Sequence, residues 1–398
     1  SENHGGDFGG GCGSAAPAPK IANPWNLRTG SKKRALFIVN KILPDNDYRL
    51  FYGRRSAVCE VVYGLPERSP GLADDEYVRL GFEEGLHAGV LRALWDLYRY
   101  LRRSRGSLAF VHFFTTNPIL FGPIIARLTG VPYVVTVTGF GRVTTSADRK
   151  YALLRPVYRF FFRHALRHAR LVLFQNRSDL AELTAQHPAL SGKFHYAGST
   201  TTAPEVTVKD FDSPVLDVLL GTRLMPDKGV VDFIAVAREM QGSVFRFLLA
   251  GKESRGYGNL YQEILQADRD QVIEFLGELD TPEMEAVLAR AHILFFPSYG
   301  EGLARLMLEA GAARLCPIAY NIPSNRDLIE EGRGFLVETG NLQQVVTTLA
   351  SLAADRELVE RNAAAYQFFI LRQYGSSQFT ERLDHLFREM LDTPELAR

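Results

Sequence analysis

Two glutamates eight residues apart mark the stretch of this chain best suited to chemistry. Phe296 to Ala313 reads FPSYGEGLARLMLEAGAA. An apolar run ends at Pro297, a glycine-containing loop follows, and a helical pattern opens near Leu303. The first amides of a helix have no partner inside it and lie at the positive end of its dipole, so this junction suits an anion. Glu301 falls in the loop and Glu309 two turns into the expected helix. A carboxylate there can accept hydrogen bonds from two vicinal hydroxyls of a ribose or a sugar. The spacing also fits a plainer role for Glu301, that of complementing the helix dipole.

A second stretch, LLGTRLMPDKGVVDFI (219–234), ends an apolar run at Gly221 and starts a helix near Gly229 and Val230. Arg223 and Lys228 lie on the loop between. A guanidinium can fork onto two phosphate oxygens and an ammonium acts as a point charge, so the pair suits a diphosphate. Standing alone, they would read as two solvated loop cations.

A third stretch, RPVYRFFFRHALRHAR (155–170), places Arg155, Arg159, Arg163 and Arg167 at successive i, i+4 positions. Tyr158, Phe161, Ala165 and Ala169 fall on another stripe, so the helix is amphipathic and basic. Arg99, Arg102, Arg103 and Arg105 form a second basic segment beside Trp95 and Tyr98. Residues 1–200 carry 27 Lys and Arg against 15 Asp and Glu, whereas the remainder carries 19 against 30. Such an imbalance favours an anionic partner for the first half, and an anionic membrane surface fits a basic amphipathic helix. The alternative is an ordinary sheet-packing helix with a solvated face. No nucleic-acid-binding module accompanies the charge, so no nucleic-acid partner is expected.

The elements that must position these residues alternate along the whole chain. Short apolar runs at 35–40, 57–63, 108–114, 133–139 and 171–176, then 215–221, 245–251, 272–277, 293–297 and 316–320, are separated by helical patterns. Near-continuous apolar strands between helices predict parallel sheets covered on both faces. The expectation is α/β: two doubly wound, Rossmann-like domains facing a cleft. The first runs over 34–205 and the second over 206–375, with a turn-rich junction near 198–214. A last helix within 376–398 is expected to pack back on the first domain. Residues 1–33, rich in Gly, Ser, Ala and Pro, read as a flexible tail without the apolar core of a secretion signal. Leu108 to Ala126 is uncharged, but its polar and helix-breaking residues predict strand, turn and helix rather than a membrane span.

Cys12, Cys59 and Cys316 are far apart and form no CxxC pair, so neither a disulfide framework nor a zinc site is expected. That fits a reducing cytosol. Asp45-Asn46-Asp47 and Asp268-Arg269-Asp270 look like metal-binding DxD triplets, yet both fit turns, and no metal is expected.

Taken together, these segments resemble the retaining glycosyltransferases of family four, whose fold is GT-B. Pro297, Ser298, Glu301, Gly302, Glu309 and Ala310 match that family's glutamate-pair motif. Gly221, Arg223, Leu224, Lys228 and Gly229 match its basic loop, with Thr222 inserted. The resemblance implies that Glu309 binds the donor ribose and Glu301 the donor sugar. It places the amides of Gly302, Leu303 and Ala304 near the sugar and diphosphate, and Arg223 and Lys228 on the diphosphate as catalytic cations. Glu278 and Leu279 are implied near the base. Three positions depart from the family pattern: Arg314, Ser324–Asn325 with Asp327, and the loop TVTGFGRVTT (136–145) in place of a usual histidine. Thr138, Gly139 and Gly141 in that loop resemble members that extend lipid-linked oligosaccharides.

The resemblance therefore implies a transferase that needs no metal and no resident cofactor. Its co-substrate would be a UDP-linked sugar and its acceptor a glycan, lipid-linked in the favoured reading. It would act in the cytoplasm, peripheral to the inner face of the cell membrane. Two rivals on the same fold are a UDP-sugar epimerase and a catalytically silent binding scaffold.

Overall fold

A computed structural model describes residues 32–39, 48–67, 69, 72–80, 89–114, 116–138, 149–201, 209–254, 256–329 and 332–393. They belong to one compact unit built on two parallel sheets. The first contains β1 (Lys33–Ile38), β2 (Cys59–Leu65), β3 (Tyr77–Arg79), β4 (Phe110–Phe113), β5 (Tyr133–Val137), β6 (Leu171–Phe174) and β7 (Phe194–Tyr196). Its order is β3-β2-β1-β4-β5-β6-β7. The second contains β8 (Leu216–Gly221), β9 (Phe245–Ala250), β10 (Glu274–Gly277), β11 (Ile293–Phe296), β12 (Cys316–Tyr320) and β13 (Phe335–Val337), ordered β10-β9-β8-β11-β12-β13. Each sheet grows outward from its first strand in both directions. Such a reversal leaves a crevice beyond the carboxyl ends of the two central strands.

The central strands are buried along nearly all of their length, the exceptions being Lys33 and Arg34 at the start of β1 and Gly221 at the end of β8, which explains why their sequences are mostly apolar without alternation. The three-residue strands β3, β7 and β13 lie at sheet edges and escaped the sequence pattern, because three residues carry no readable period. Leu108 to Ala126 resolves into β4 and the start of a helix, as its composition predicted. No described helix is long and apolar enough to cross a membrane. The Asp45 triplet lies outside the described residues. Asp268 accepts from the Phe275 amide at 2.8 Å and Asp270 from Gln266 at 2.7 Å, so both serve the turn into β10.

On one face of the first sheet lie α1 (Tyr48–Arg55) and the chain's last described helix, α13 (Ser376–Asp392). Phe379, Leu383, Leu386, Phe387 and Met390 of α13 join Phe37, Tyr52, Tyr63 and Phe110 in a single core. On the other face α2 (Gly89–Arg103), α3 (Thr116–Thr129) and α4 (Arg149–His168) contribute Leu97, Leu101, Ala126, Ala165, Leu166 and Ala169 to a separate core. The chain thus crosses between the sheets twice, and the crossings touch: the Thr201 amide donates to the Tyr374 carbonyl at 2.9 Å.

The return crossing is pinned by a buried carboxylate. Asp384 accepts from Tyr52 Oη at 2.8 Å, from Ser56 Oγ at 2.5 Å and from the Ala57 amide at 2.8 Å. A carboxylate taken out of water needs such donors, and removing it strands all of them. Asp384→Ala is therefore expected to cost about 2–4 kcal/mol of unfolding free energy. Urea denaturation checks this; a loss within about 0.5 kcal/mol, the scale of an ordinary surface change, would refute the pinning role.

Candidate functional site

The crevice of the second sheet opens between β8 and β11, and the two chemically informative loops leave these strands. After β8 the chain runs through Thr222 and Arg223 into a tight turn, Pro226–Lys228, then into α6 (Val230–Glu239). After β11 it runs through Pro297 to Ala304 into α9 (Arg305–Ala312). Gly229 brings the loops together. Its φ is +70°, and a Cβ there would strike the Pro297 carbonyl. The Tyr299 amide also donates to the Asp227 carbonyl at 3.1 Å.

This proximity buries Lys228, which the sequence placed on the loop after β8. Its Nζ donates to Glu301 Oε1 at 2.6 Å and to the Gly300 carbonyl at 3.1 Å. Ser298 Oγ donates to the same Glu301 oxygen at 3.1 Å. Arg223 is exposed. The loop's outer part is anchored by Asp232 of α6, whose Oδ2 accepts from Tyr299 Oη at 2.7 Å and from Tyr320 Oη at 2.5 Å.

Helix α9 begins at Arg305, two residues later than its sequence pattern suggested, so Gly302, Leu303 and Ala304 form the approach to it. Ala304 is the N-cap and offers no side-chain acceptor to the first turn, which also lacks an acidic residue. That leaves the dipole's positive end unneutralised by its own helix. Glu309 consequently stands one turn into α9 rather than two. Arg305 Nε donates to its Oε1 at 2.6 Å, and burial pushes the Glu309 carboxyl above its ordinary range while Arg305 opposes the rise. Arg305 was missed in the sequence, although its i, i+4 spacing to Glu309 was visible there.

Glu278, after β10, is exposed and paired with Lys252 Nζ at 2.7 Å. Leu279 packs at the margin of the second sheet's core. Thr138 closes β5 and is exposed; Gly139 and Gly141 lie outside the described residues. In α4, Arg159, Arg163 and Arg167 are exposed, whereas Arg155 is half-buried and engaged. The buried face is Tyr158, Ala165, Leu166 and Ala169, with Phe161 turned sideways onto Phe121. Val157 and Phe160 project outward among the arginines, Phe160 with 68% exposure.

Contacts from the first sheet reach this loop, and no sequence signal pointed to them. Asn176, the N-cap of α5 (Arg177–Gln186), donates from Nδ2 to the Gly302 carbonyl at 3.0 Å. Asp327 of α10 (Pro323–Ile329) accepts from the Arg177 amide at 2.6 Å, the Ser178 amide at 3.2 Å and Ser178 Oγ at 3.0 Å. Beside them, burial pushes the Asp179 carboxyl up to about 6.

Two family models match the chain. Glycosyl transferases group 1 covers residues 209–367 and the glycosyl transferase 4-like domain covers 45–191. Among curated proteins, the chain is 25% identical over 288 residues to the Escherichia coli UDP-Gal:alpha-D-GlcNAc-diphosphoundecaprenol alpha-1,3-galactosyltransferase, covering 67% of this chain and 72% of that protein. It is 24% identical over 322 residues to the 2-deoxystreptamine N-acetyl-D-glucosaminyltransferase of Streptomyces fradiae, covering 76% of each. Among solved structures, Anabaena HepE in complex with UDP and glucose superposes with a TM-score of 0.73 at 14% identity, over 90% of this chain and all of that one. The fold is accordingly GT-B.

Gly229 supplies a direct test of the loop apposition. Gly242 has a similar φ of +77° but open space around its Cβ position. Changing either glycine to alanine costs about 1–2 kcal/mol for the left-handed backbone. Gly229→Ala must also push the two loops apart, so its urea midpoint is expected well below that of Gly242→Ala. Equal midpoints would show that the loops are not locked at Gly229.

Proposed function

Because the chain belongs to the group 1 glycosyl transferases, we propose that it moves a hexose or N-acetylhexosamine from a UDP-linked donor to a hydroxyl of a polyprenyl-diphosphate-linked glycan, with retention of configuration. The observation that carries the reading is the crevice between β8 and β11. There Lys228 and Glu301 join the two loops, with Arg223 exposed on one and the uncapped start of α9 on the other. Relatives support the finer points: one is named for UDP-galactose and a diphosphoundecaprenol acceptor, and HepE is described with UDP and glucose.

In this reading Glu309 accepts the ribose hydroxyls and the donor diphosphate lies between Arg223, Lys228 and the amides of Gly302, Leu303 and Ala304. The anomeric C–O bond breaks with its electron pair leaving on the diphosphate. Preorganised donors stabilise that growing charge without reorganising. The acceptor hydroxyl attacks from the face the diphosphate leaves and surrenders its proton to the departing phosphate. Glu301 holds the sugar, already oriented by Lys228 and Ser298. No metal, resident cofactor or protein nucleophile is assigned.

Arg223→Ala is the cleaner test of the cationic loop, since Lys228→Ala also strands Glu301. Either is expected to lower kcat by roughly 10²–10³, the scale for losing one charge-stabilising donor. Glu309→Gln should weaken UDP binding in calorimetry, while Glu301→Gln should spare UDP and reduce transfer. Near-normal turnover in folded Arg223→Ala would remove the loop from the mechanism. Donor-only incubations separate the epimerase rival, which would make product without an acceptor.

The lipid-linked acceptor gives the basic face of the first sheet a purpose. Exposed Arg159, Arg163 and Arg167 surround Phe160 and Val157 on α4, and exposed Arg99, Arg102 and Arg103 accompany Trp95 and Leu91 on α2. Each cation near an anionic leaflet contributes ~1 kcal/mol, decaying within a Debye length. Apolar tips among cations suit the headgroup boundary. The protein is expected to sediment with anionic but not neutral vesicles, and less so toward ~1 M salt. Changing Arg159, Arg163 and Arg167 to Ser should release it with UDP affinity intact. Equal, negligible pelleting with both lipids would favour a soluble acceptor, as the 2-deoxystreptamine relative's name describes for that enzyme.

A further inference from the structure

The Asn176 amide has a fixed orientation. Its Oδ1 accepts from the Asp179 amide at 2.6 Å, and its Nδ2 donates to Asp179 Oδ2 at 2.8 Å. Flipping the amide would set a donor against an N–H and an acceptor against a carboxylate. The same Nδ2 also reaches the Gly302 carbonyl at 3.0 Å, across the divide between the two sheets.

What that carbonyl belongs to matters. A peptide unit is planar and trans, so the Gly302 oxygen and the Leu303 N–H lie on opposite sides of one rigid plate, and no described peptide bond is cis. Anchoring the oxygen toward Asn176 aims the Leu303 N–H the opposite way. A donor on the oxygen also polarises the plate and strengthens its N–H as a donor. We infer that Asn176 is a positioning residue: it orients the Gly302–Leu303 peptide plane, so that the Leu303 amide meets the donor correctly only when the two halves are docked. The inference rests on the transferase reading.

The docking has its own clamp. Asp327 receives the two amides at the start of α5, and Ser178 Oγ lies 3.0 Å from both Asp327 Oδ1 and the Pro323 carbonyl, which share its one proton. These bonds lie next to Asn176 in the chain, so the clamp would help to set its distance from Gly302. A loosened clamp would misalign the plate and admit water to the donor.

Four variants test the arrangement. In Asn176→Ala, kcat for transfer is expected to fall ~10–100-fold, with the donor KM changed about twofold at most, because a small misplacement is felt mainly in the transition state. Asn176→Asp, which fills the same space but cannot donate, should match it. Asp327→Ala should lower kcat likewise, raise the ratio of donor hydrolysis to transfer, and abolish exchange protection of the Arg177 and Ser178 amides. Asp327→Asn, which keeps one acceptor oxygen, should recover part of each. Full kcat and an unchanged hydrolysis ratio in folded Asn176→Ala, with the parent active, would overturn the inference. Undiminished protection in Asp327→Ala would overturn the clamp. A parent that turns over no nucleotide sugar would instead sink the transferase reading, while the exchange measurement still judges the clamp.

Discussion

The ion pair between Lys228 and Glu301 is the constraint on which the second half's crevice depends. The side chains are 8% and 21% exposed. Removing two charges from water is costly, and the cost is offset only by close geometry and full hydrogen bonding. Here Ser298 and the Gly300 carbonyl supply the remaining partners, and Gly229 lets the backbones approach closely enough for all of them. The pair is therefore a staple between the loops after β8 and β11. It also divides labour among the charges: Lys228 is held inside the wall of the crevice, while Arg223 stays at the surface.

The same logic runs outward through both halves. Asp232 anchors Tyr299 beyond Glu301, Arg305 braces Glu309, and Asn176 reaches Gly302 from the first sheet. Each side chain holds a neighbour whose position matters at the crevice. Buried polar groups of this kind are costly when half-satisfied and rigid when complete. On the far side, Asp384 returns the chain's last helix to the first sheet, so the two halves are joined by paired crossings near Thr201 and Tyr374.

Much of this was legible in the residues. Apolar runs between helical patterns identified the central strands, because a strand covered on both faces is predominantly apolar, with Asp217, His112 and Thr136 as buried exceptions. Arg223, Lys228, Glu301 and Glu309 stood out because charged groups at strand ends beside helix starts are where parallel sheets bind ligands. What the chain could not reveal is partnership at a distance. Lys228 lies 73 residues from Glu301, Asn176 lies 126 from Gly302, and Arg177 lies 150 from Asp327. Burial and hydrogen bonding across such separations follow from the packing of whole elements, and periodicity reports only which face of an element is apolar. Hence the sequence offered Lys228 as a loop cation for a diphosphate without its buried partner Glu301, and it gave Asn176 no role at all.

That blindness has a physical side that bears on the chemistry. The residues readable from sequence sit on the second half, where one βα unit presents its own charges. Apart from Arg305, the residues that were not readable sit where the halves meet, and they act through backbone: a carbonyl at Gly302, amides at Arg177 and Ser178. Backbone donors have no side-chain identity to leave in a sequence, yet they are the groups a rigid peptide plane can aim most accurately. On the proposed reading, a crevice that used side-chain cations for the bulk of the diphosphate charge and amides for its final alignment would separate affinity from timing. Cations would attract the donor in any state of the molecule, whereas the Gly302–Leu303 plate would align only with Asn176 in place, which would couple alignment to the docking of the two halves.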